Sequence, residues 1–96
     1  MHRTIGKTSV GLEEQEMKVV LAKVDDGWQF AFLIEQVNDN LFTVFIPNSP
    51  DTWSGSIYHI QRDNIIWTDI SHKRVINCLR QMGFGSADLL RKQSKI

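Results

Sequence analysis

The path of the chain depends most on one central stretch, Val44-Phe45-Ile46-Pro47-Asn48-Ser49-Pro50-Asp51-Thr52-Trp53-Ser54-Gly55. Its first residues are strongly apolar and are typical of a β-strand. The nine residues from Pro47 to Gly55 include both prolines of the chain and end on a glycine, which is typical of a loop. The stretch therefore predicts a strand and a stiff loop, after which the chain reverses its direction.

Three strands are predicted up to this loop. The first, Met17–Val24, is rich in β-branched residues, and the second, Trp28–Glu35, alternates a heavily apolar face with a partly polar one. The third strand is Leu41–Ile46. Short connections of Asp, Asn and Gly separate the strands, at Asp25-Asp26-Gly27 and at Asn38-Asp39-Asn40. This spacing predicts an antiparallel meander.

Two shorter strands and a helix are predicted after the loop. The strands are Ser56–Ile60 and Asn64–Ile70, which join near Gln61-Arg62-Asp63. Ser71 is a suitable helix N-cap, and Gly83 is a natural C′ residue. Between them lies an apolar face with helical spacing, formed by Val75, Cys78, Leu79 and Met82.

These elements predict one mostly β (α+β) domain over residues 17–84. We expect about five antiparallel strands in a curled or barrel-like sheet, because short strands must hide both faces and both edges. A C-terminal helix closes one open side. Residues 1–16 are polar and mixed and are predicted to form a mobile tail. Residues 85–96 are predicted to form a short helical turn and a frayed end.

Composition and charge narrow the class of function. Eleven Lys and Arg residues balance eleven Asp and Glu residues, and the aromatic strands lack interleaved basic residues, so no nucleic-acid partner is predicted. The single cysteine, Cys78, excludes an internal disulfide and a multi-cysteine metal site. No apolar run approaches the length of about 18 residues that a membrane span needs. The N-terminus lacks the apolar segment of a signal peptide.

Several short motifs between Met17 and Gly83 resemble one known family in their order and spacing. These motifs are Lys18-Val19-Val20-Leu21, Gly27-Trp28, Val44-Phe45-Ile46-Pro47, Pro50-Asp51-Thr52-Trp53-Ser54-Gly55, Arg62-Asp63-Asn64-Ile65-Ile66 and Asp69-Ile70-Ser71. They are similar to the soluble domain of the COV-like (continuous-vascular-ring-like) family of membrane proteins. In bacteria that domain is known only as a domain of unknown function.

The resemblance implies a cellular setting and no reaction. In the relatives, transmembrane helices precede the domain, and such helices are absent from this chain. The resemblance therefore implies a domain on the cytoplasmic side of a membrane if its parent protein is anchored there, and a cytoplasmic domain otherwise. It implies no enzymatic activity, no cofactor and no catalytic residue.

The sequence offers no catalytic or metal-binding set. The histidines, His2, His59 and His72, lack the spacing of a ligand pair, so no metal site is predicted. Cys78 lies on the apolar helix face and is predicted to be a buried hydrophobic residue. A Ser-His-Asp arrangement can be drawn from His59 and the serines around the loop, but no Gly-x-Ser-x-Gly motif accompanies it. No catalytic residue and no cofactor are therefore predicted.

Two features are candidates for binding. Arg62 is either a turn arginine, held by a carboxylate or by loop carbonyls, or an anion contact for a phosphate or a lipid headgroup. Trp53 is either an exposed binding anchor or a lid that folds back over the sheet. The candidate interaction loop comprises Pro47, Asn48, Ser49, Pro50, Asp51, Trp53 and Gly55.

The function predicted first is a non-enzymatic interaction or assembly domain of a membrane-associated protein. It presents the loop to another copy of itself or to a protein partner, and a sheet edge is a second candidate contact. The alternative is a small-ligand or anionic lipid-headgroup binding module, with Arg62 or the C-terminal basic residues as anion contacts. An enzyme is the third hypothesis, and it requires a concave pocket with convergent titratable groups.

Overall fold

A computed structural model describes residues 17–93 of the chain. The predicted tail, residues 1–16, and the last part of the predicted frayed end, residues 94–96, lie outside the described residues. The strands are β1 Val19–Val24, β2 Gly27–Asn38, β3 Leu41–Pro47, β4 Gly55–Gln61 and β5 Ile65–Trp67. A short 3₁₀ helix, Arg62–Asn64, precedes β5, and two α-helices follow it, α1 His72–Arg80 and α2 Ser86–Arg91.

The five strands form one antiparallel sheet in the order β4-β3-β2-β1-β5. The first four strands are consecutive neighbours, which confirms the predicted meander, and β5 returns to pair with β1. This arrangement leaves β4 and β5 at the two edges. The predicted fold class, a mostly β (α+β) domain with a C-terminal helix on a five-stranded antiparallel sheet, is therefore confirmed.

The sheet is strongly curled without closing into a barrel. Phe42 in β3 and Trp67 in β5 are separated by two strands, yet their ring centroids lie 5.3 Å apart with an interplanar angle of 80°. In a flat sheet, strands three places apart would be roughly 14 Å from each other. The two rings meet because the sheet bends towards its inner face. The edge strands β4 and β5 do not pair with each other.

The curl divides the core into two layers. The inner layer is formed by Val20, Ala22, Ala31, Phe42, Val44, Ile46, Ile60 and Ile65. The outer layer, where the two helices cover the sheet, is formed by Val19, Leu21, Phe30, Phe32, Ile70, Val75, Cys78 and Leu89. Strand β1 contributes alternate residues to both layers. Its unbroken apolar run follows from this burial on both faces.

Strand β2 runs further than predicted, and two β-bulges interrupt its pairing with β3. Ile34 and Val37 are the extra residues at these bulges, and both side chains are exposed. A bulge bends the strand and increases its local twist, which contributes to the curl. The apolar face predicted for this strand comprises Trp28, Phe30, Phe32 and Ile34. Phe30 and Phe32 are buried, whereas Trp28 and Ile34 are exposed.

Strand β5 is shorter than the predicted strand Asn64–Ile70. The hydroxyl of Thr68 donates to the carbonyl oxygen of Val19 at 2.8 Å and accepts from the N–H of Ile70 at 3.2 Å. A side-chain hydroxyl thus takes over backbone partners that a longer ladder would use. The chain leaves the sheet at this point and enters α1.

Helix α1 begins where the sequence predicts. The hydroxyl of Ser71 accepts from the N–H of Arg74 at 3.2 Å, which is the hydrogen bond of an N-cap. The predicted short helical turn after Gly85 is α2. Neither helix of residues 17–93 combines the length and the hydropathy that a membrane-spanning helix requires.

Candidate interaction surface

The candidate loop is held in place by its own aspartate. The carboxylate of Asp51 accepts from the N–H of Trp53 at 3.1 Å and from the hydroxyl of Ser54 at 3.0 Å. The N–H of Asn48 closes the base of the loop by donating to the Ser54 carbonyl at 2.8 Å. These bonds fix the backbone on both sides of Trp53, whose side chain is 74% exposed. Trp53 is therefore an outward-pointing side chain and not a lid on the sheet.

The two ends of the candidate loop belong to the strands. Pro47 ends β3 and is buried, and Gly55 begins β4 directly opposite it. A Cβ at Gly55 would collide with the carbonyl oxygen of Ile46 and would lie 2.6 Å from the ring of Phe45. The Phe45 ring thus occupies the space that a side chain at Gly55 would need. Pro47 and Gly55 therefore have a structural role in the β3–β4 pair. Only the residues between them are available to contact a partner.

The loop meets the end of α1 at one carbonyl group. The hydroxyl of Ser49 donates to the carbonyl oxygen of Leu79 at 2.5 Å. The N–H of Met82 donates to the same oxygen at 3.0 Å. The loop and the turn after α1 are therefore direct neighbours. This turn carries two large exposed side chains, Met82 at 78% and Phe84 at 81% exposure.

Met82 ends the helix in a conformation that favours glycine. Its φ is +59°, and the following Gly83 donates its N–H to the carbonyl oxygen of Cys78 at 2.9 Å. With the bond from Met82 to Leu79, these contacts form a Schellman motif. The prediction that Gly83 is the C′ residue is wrong by one position. Met82, expected on the buried helix face, instead lies at C′ in the solvent.

We expect Met82→Gly to stabilise the domain by about 1 kcal/mol, because a left-handed backbone is costly for a residue with a Cβ atom. The exposed methionine side chain contributes little burial to offset this cost. Urea denaturation measures the change. The control is Asn77→Gly at an exposed position inside α1, where glycine is expected to destabilise by about 0.5–1 kcal/mol. Equal losses in both variants would show that Met82 is not strained.

Strand β4 is an open edge of the sheet. Within residues 17–93 it pairs only with β3, and its residues 55–59 are all exposed. It contains no Asp, Glu, Lys, Arg or Pro, which are the residues that commonly protect such an edge. Ile57 is 57% exposed beside the half-buried Phe45. The other edge strand, β5, is only three residues long.

These three parts form one continuous surface, the interaction surface. It comprises the loop Asn48–Ser54, the strand β4 and the turn Met82–Phe84. Its exposed large hydrophobic and aromatic side chains are those of Trp53, Ile57, Tyr58, Met82 and Phe84, with Ile57 and Tyr58 on opposite faces of β4. Several large exposed apolar side chains on neighbouring parts of a small domain are typical of a binding site.

Arg62 is held by the turn between β2 and β3. Its Nε donates to the carbonyl oxygen of Asp39 at 2.8 Å, and its guanidinium carbon lies 5.0 Å from the centroid of the Phe42 ring. A backbone carbonyl group of a connecting segment was one of the predicted partners of Arg62. Asp63 lines the open cleft of about 260 Å³ beside Arg62, and its carboxylate opposes anion binding there. The contacts of the described residues favour the structural role.

The structure describes two of the three histidines, His59 and His72. Within residues 17–93, no group of three or more His, Cys, Asp or Glu side chains is placed to hold a metal ion. His72 is buried, accepts from the N–H of Met17 at 3.3 Å through Nδ1, and meets the edge of the Phe32 ring at a centroid distance of 6.0 Å. His59 is exposed on β4, and His2 lies outside the described residues.

The candidate nucleophiles have structural partners. Cys78 is buried in the outer layer of the core, as predicted, with its sulfur 3.2 Å from the hydroxyl of Ser86. The hydroxyl of Ser54 donates to the carboxylate of Asp51 and makes no hydrogen bond with His59 among the described residues. Ser54 therefore does not form the drawn Ser-His-Asp arrangement with His59.

The sequence predicts the loop and a sheet edge as contacts, but it does not identify β4 as that edge and gives no prediction for the turn beside the loop. Tyr58 and Ile57 were assigned to a strand, but the pattern did not show that this strand lies at an edge. Phe84 stands between two glycines, outside any helical pattern, which is a local signal for an exposed aromatic side chain. The absence of charge from β4 was a second visible signal.

Comparisons of the chain with protein-family models, with curated proteins and with solved structures found no match. The resemblance to the COV-like family therefore rests on the sequence motifs alone.

Proposed function

We propose that this domain is a non-enzymatic interaction and assembly domain that binds another copy of itself through the interaction surface. The observation that carries the proposal is the continuity of three exposed parts, namely the loop with Trp53, the uncharged edge strand β4, and the turn with Met82 and Phe84. Aromatic and methionine side chains are enriched where proteins bind one another. An open strand edge adds backbone donors and acceptors that a second strand can satisfy.

The rigidity of this surface supports the proposal. Hydrogen bonds of Asp51 fix the loop around Trp53, and Ser49 ties the loop to the end of α1. A loop backbone that is held in place before binding loses less conformational entropy when a partner binds. The left-handed backbone at Met82 adds a second argument, because local strain is concentrated at functional positions.

The same proposal places the domain in a membrane-associated protein, on the cytoplasmic side of the membrane. The support for this placement is the resemblance of the motifs around Lys18–Leu21 and Val44–Gly55 to the COV-like family. Fractionation of cells that produce the native protein tests it. Recovery of the chain in the soluble fraction alone would argue against the membrane.

We expect Trp53→Ala to weaken self-association by about tenfold or more, because exposed tryptophans at interfaces are common binding hot spots. Light scattering over a range of protein concentrations measures the molar mass, which is 11.1 kDa for one chain. Trp28→Ala is the matched control. Trp28 is a 46% exposed tryptophan of β2 that lies outside the interaction surface, and its loss is expected to leave self-association unchanged.

Three outcomes of the light-scattering experiment bear on which partner binds the interaction surface. A concentration-dependent rise towards twice the monomer mass, reduced by Trp53→Ala alone, supports binding of a second copy. Equal effects of both tryptophan substitutions would contradict a contact that depends on the loop. A wild-type protein that stays monomeric up to about 1 mM, the range of very weak complexes, contradicts self-association and leaves a different protein as the occupant.

A further inference from the structure

The hydrogen-bonding direction of β4 follows from two bonds at the ends of its pairing with β3. The N–H of Asn48 donates to the Ser54 carbonyl at 2.8 Å, and the N–H of Arg62 donates to the Asn40 carbonyl at 2.9 Å. Both pairs continue the register of β3 and β4, which has no shift along its length. Bonded and non-bonded pairs alternate in an antiparallel ladder. The even-numbered residues of β4 therefore bond to β3.

The odd-numbered residues of β4 direct their backbone N–H and C=O groups towards the open edge. These residues are Gly55, Ile57, His59 and Gln61. In the described part of the chain, no other strand lies on that side of β4. Such a row of free donors and acceptors can accept one further strand.

Strand β4 of one copy can pair with strand β4 of a second copy. Antiparallel pairing of two copies with full overlap places Gly55 of one copy opposite Gln61 of the other, and Ile57 opposite His59. All four are outward residues, so free N–H groups face free C=O groups, which allows up to about eight inter-strand hydrogen bonds. If the two strands were shifted by one residue, the outward backbone groups of one copy would face residues of the other copy that already bond to β3. If the strands were shifted by two residues, odd-numbered residues would still face odd-numbered residues, but fewer residues of the two strands would pair.

The side chains permit the same register. No Asp, Glu, Lys or Arg occurs in β4, so no like charges meet across the new pair. Tyr58 lies at the centre of the strand and faces its own copy in a non-hydrogen-bonded pair, where side chains approach most closely. Aromatic side chains opposite each other stabilise antiparallel strands.

We infer that two copies of the chain pair their β4 strands about a twofold axis that passes at Tyr58, so that the two sheets become one continuous sheet. This inference rests on the proposed function, for which it specifies the partner and the register. The axis brings the two loops with Trp53 to opposite ends of the new strand pair. An isologous contact of this kind closes after two copies and does not propagate into a fibre.

Single cysteines on β4 test the register. In Tyr58→Cys the two thiols lie opposite each other at the axis, with Cα atoms about 4.5–5.5 Å apart, which is within disulfide range. Oxidation by dissolved oxygen is expected to convert this variant to a covalent dimer of twice 11.1 kDa. The wild-type protein is the negative control for crosslinking, because its only cysteine, Cys78, is buried.

The matched control is Ser56→Cys, two residues from the axis on the same face of the sheet. Its two thiols would lie about 13 Å apart along the strands, too far for a disulfide. We expect at least about tenfold slower crosslinking than for Tyr58→Cys, because the strands must slip before the thiols meet. Crosslinking at equal rates, or faster at Ser56→Cys, would overturn the register.

A proline at an outward position tests the edge itself. Ile57→Pro removes an N–H that points away from β3, so the pairing with β3 keeps its bonds while the dimer loses donors next to its axis. We expect a monomer, with an unchanged circular dichroism spectrum, at concentrations where the wild type is dimeric. Ile57→Lys serves if the proline variant does not fold, since edge lysines block strand addition.

The results separate this inference from the proposed function. A wild-type dimer that gives no Tyr58→Cys crosslink, or that persists in folded Ile57→Pro or Ile57→Lys protein, overturns pairing through β4. Self-association through the loop and the turn would still stand in that case. A wild-type protein that remains monomeric at all concentrations overturns both.

Discussion

Gly55→Ala is expected to destabilise the domain by about 2–4 kcal/mol, a large effect for a single added methyl group. The new Cβ would collide with the carbonyl oxygen of Ile46 and lie 2.6 and 2.9 Å from two carbons of the Phe45 ring. The Phe45 side chain can rotate, but the Ile46 carbonyl belongs to the backbone of β3. The first pair of the β3–β4 ladder must therefore separate. Thermal denaturation followed by tryptophan fluorescence measures the loss.

Gly27→Ala is the matched control for this prediction. Gly27 also begins a strand, but a Cβ built on it meets no atom within 4 Å. We expect a change within about 0.5 kcal/mol, as for most exposed substitutions. A neutral Gly55→Ala would mean that Phe45 does not press on the backbone of β4. Because Gly55 begins the edge strand, its loss should also weaken self-association.

The sequence predicted those parts of the fold that local chemistry determines. The turn at Asp25-Asp26-Gly27 and the turn at Asn38-Asp39-Asn40 separate strands because Asp and Asn tolerate tight backbone geometry. Ser71 caps α1 because its hydroxyl reaches a free N–H three residues further along the chain. Each of these features depends on neighbours in the sequence. The antiparallel order of the first strands followed from the short turns alone.

Features that depend on distant contacts were beyond sequence reasoning. The end of β5 is set by the bond from Thr68 to Val19, which lies 49 residues away in the chain. The bulges at Ile34 and Val37 follow from the pairing with β3, and the alternation of residues in β2 gives no sign of them. The helical spacing included Met82, although the helix ends before it in a Schellman motif.

The candidate site also combines features that follow from local sequence with features that depend on distant contacts. The prolines and Asp51 identified the loop, and Trp53 at its tip was a visible anchor. The division of that loop into structural ends and a free centre depends on Phe45, a residue of the neighbouring strand. The edge position of β4 depends on β5 joining the opposite side of the sheet. The short turns predict which consecutive strands pair, but no local pattern reports that β5 pairs with β1, so the edge position of β4 was not predictable.

Phe42→Ala is expected to destabilise the domain by about 3–5 kcal/mol, the range for truncating a buried phenylalanine. Phe42 is buried in the inner layer of the core. Its ring contacts Trp67 edge-on across the curl and lies under the guanidinium of Arg62. This one side chain therefore joins β3 to two parts of the chain that are not its neighbours in the sheet at this point, the strand β5 and the 3₁₀ helix that carries Arg62. Urea denaturation is expected to show a lower midpoint with little change in slope.

A double-mutant cycle tests whether the contact with Trp67 holds the curl. Phe42→Leu and Trp67→Leu remove the ring pair while keeping apolar volume, and we expect a coupling free energy of about 0.5–1.5 kcal/mol between them. The same cycle with Trp28→Leu is the control. Trp28 lies opposite Lys23 in the β1–β2 pair, on the other face of the sheet, so its effect should add to that of Phe42→Leu.

The comparison of the two cycles separates local packing from curvature. If Phe42 contributed only its own burial, both cycles would be additive, and the curl would have to come from the bulges of β2 alone. Coupling confined to the Trp67 cycle means that the ring pair joins β3 to β5 across two strands. The loss of this contact would let β5 move away from the inner layer. The opposite edge, β4, would keep its pairing with β3, so Phe42→Leu should reduce stability without preventing self-association.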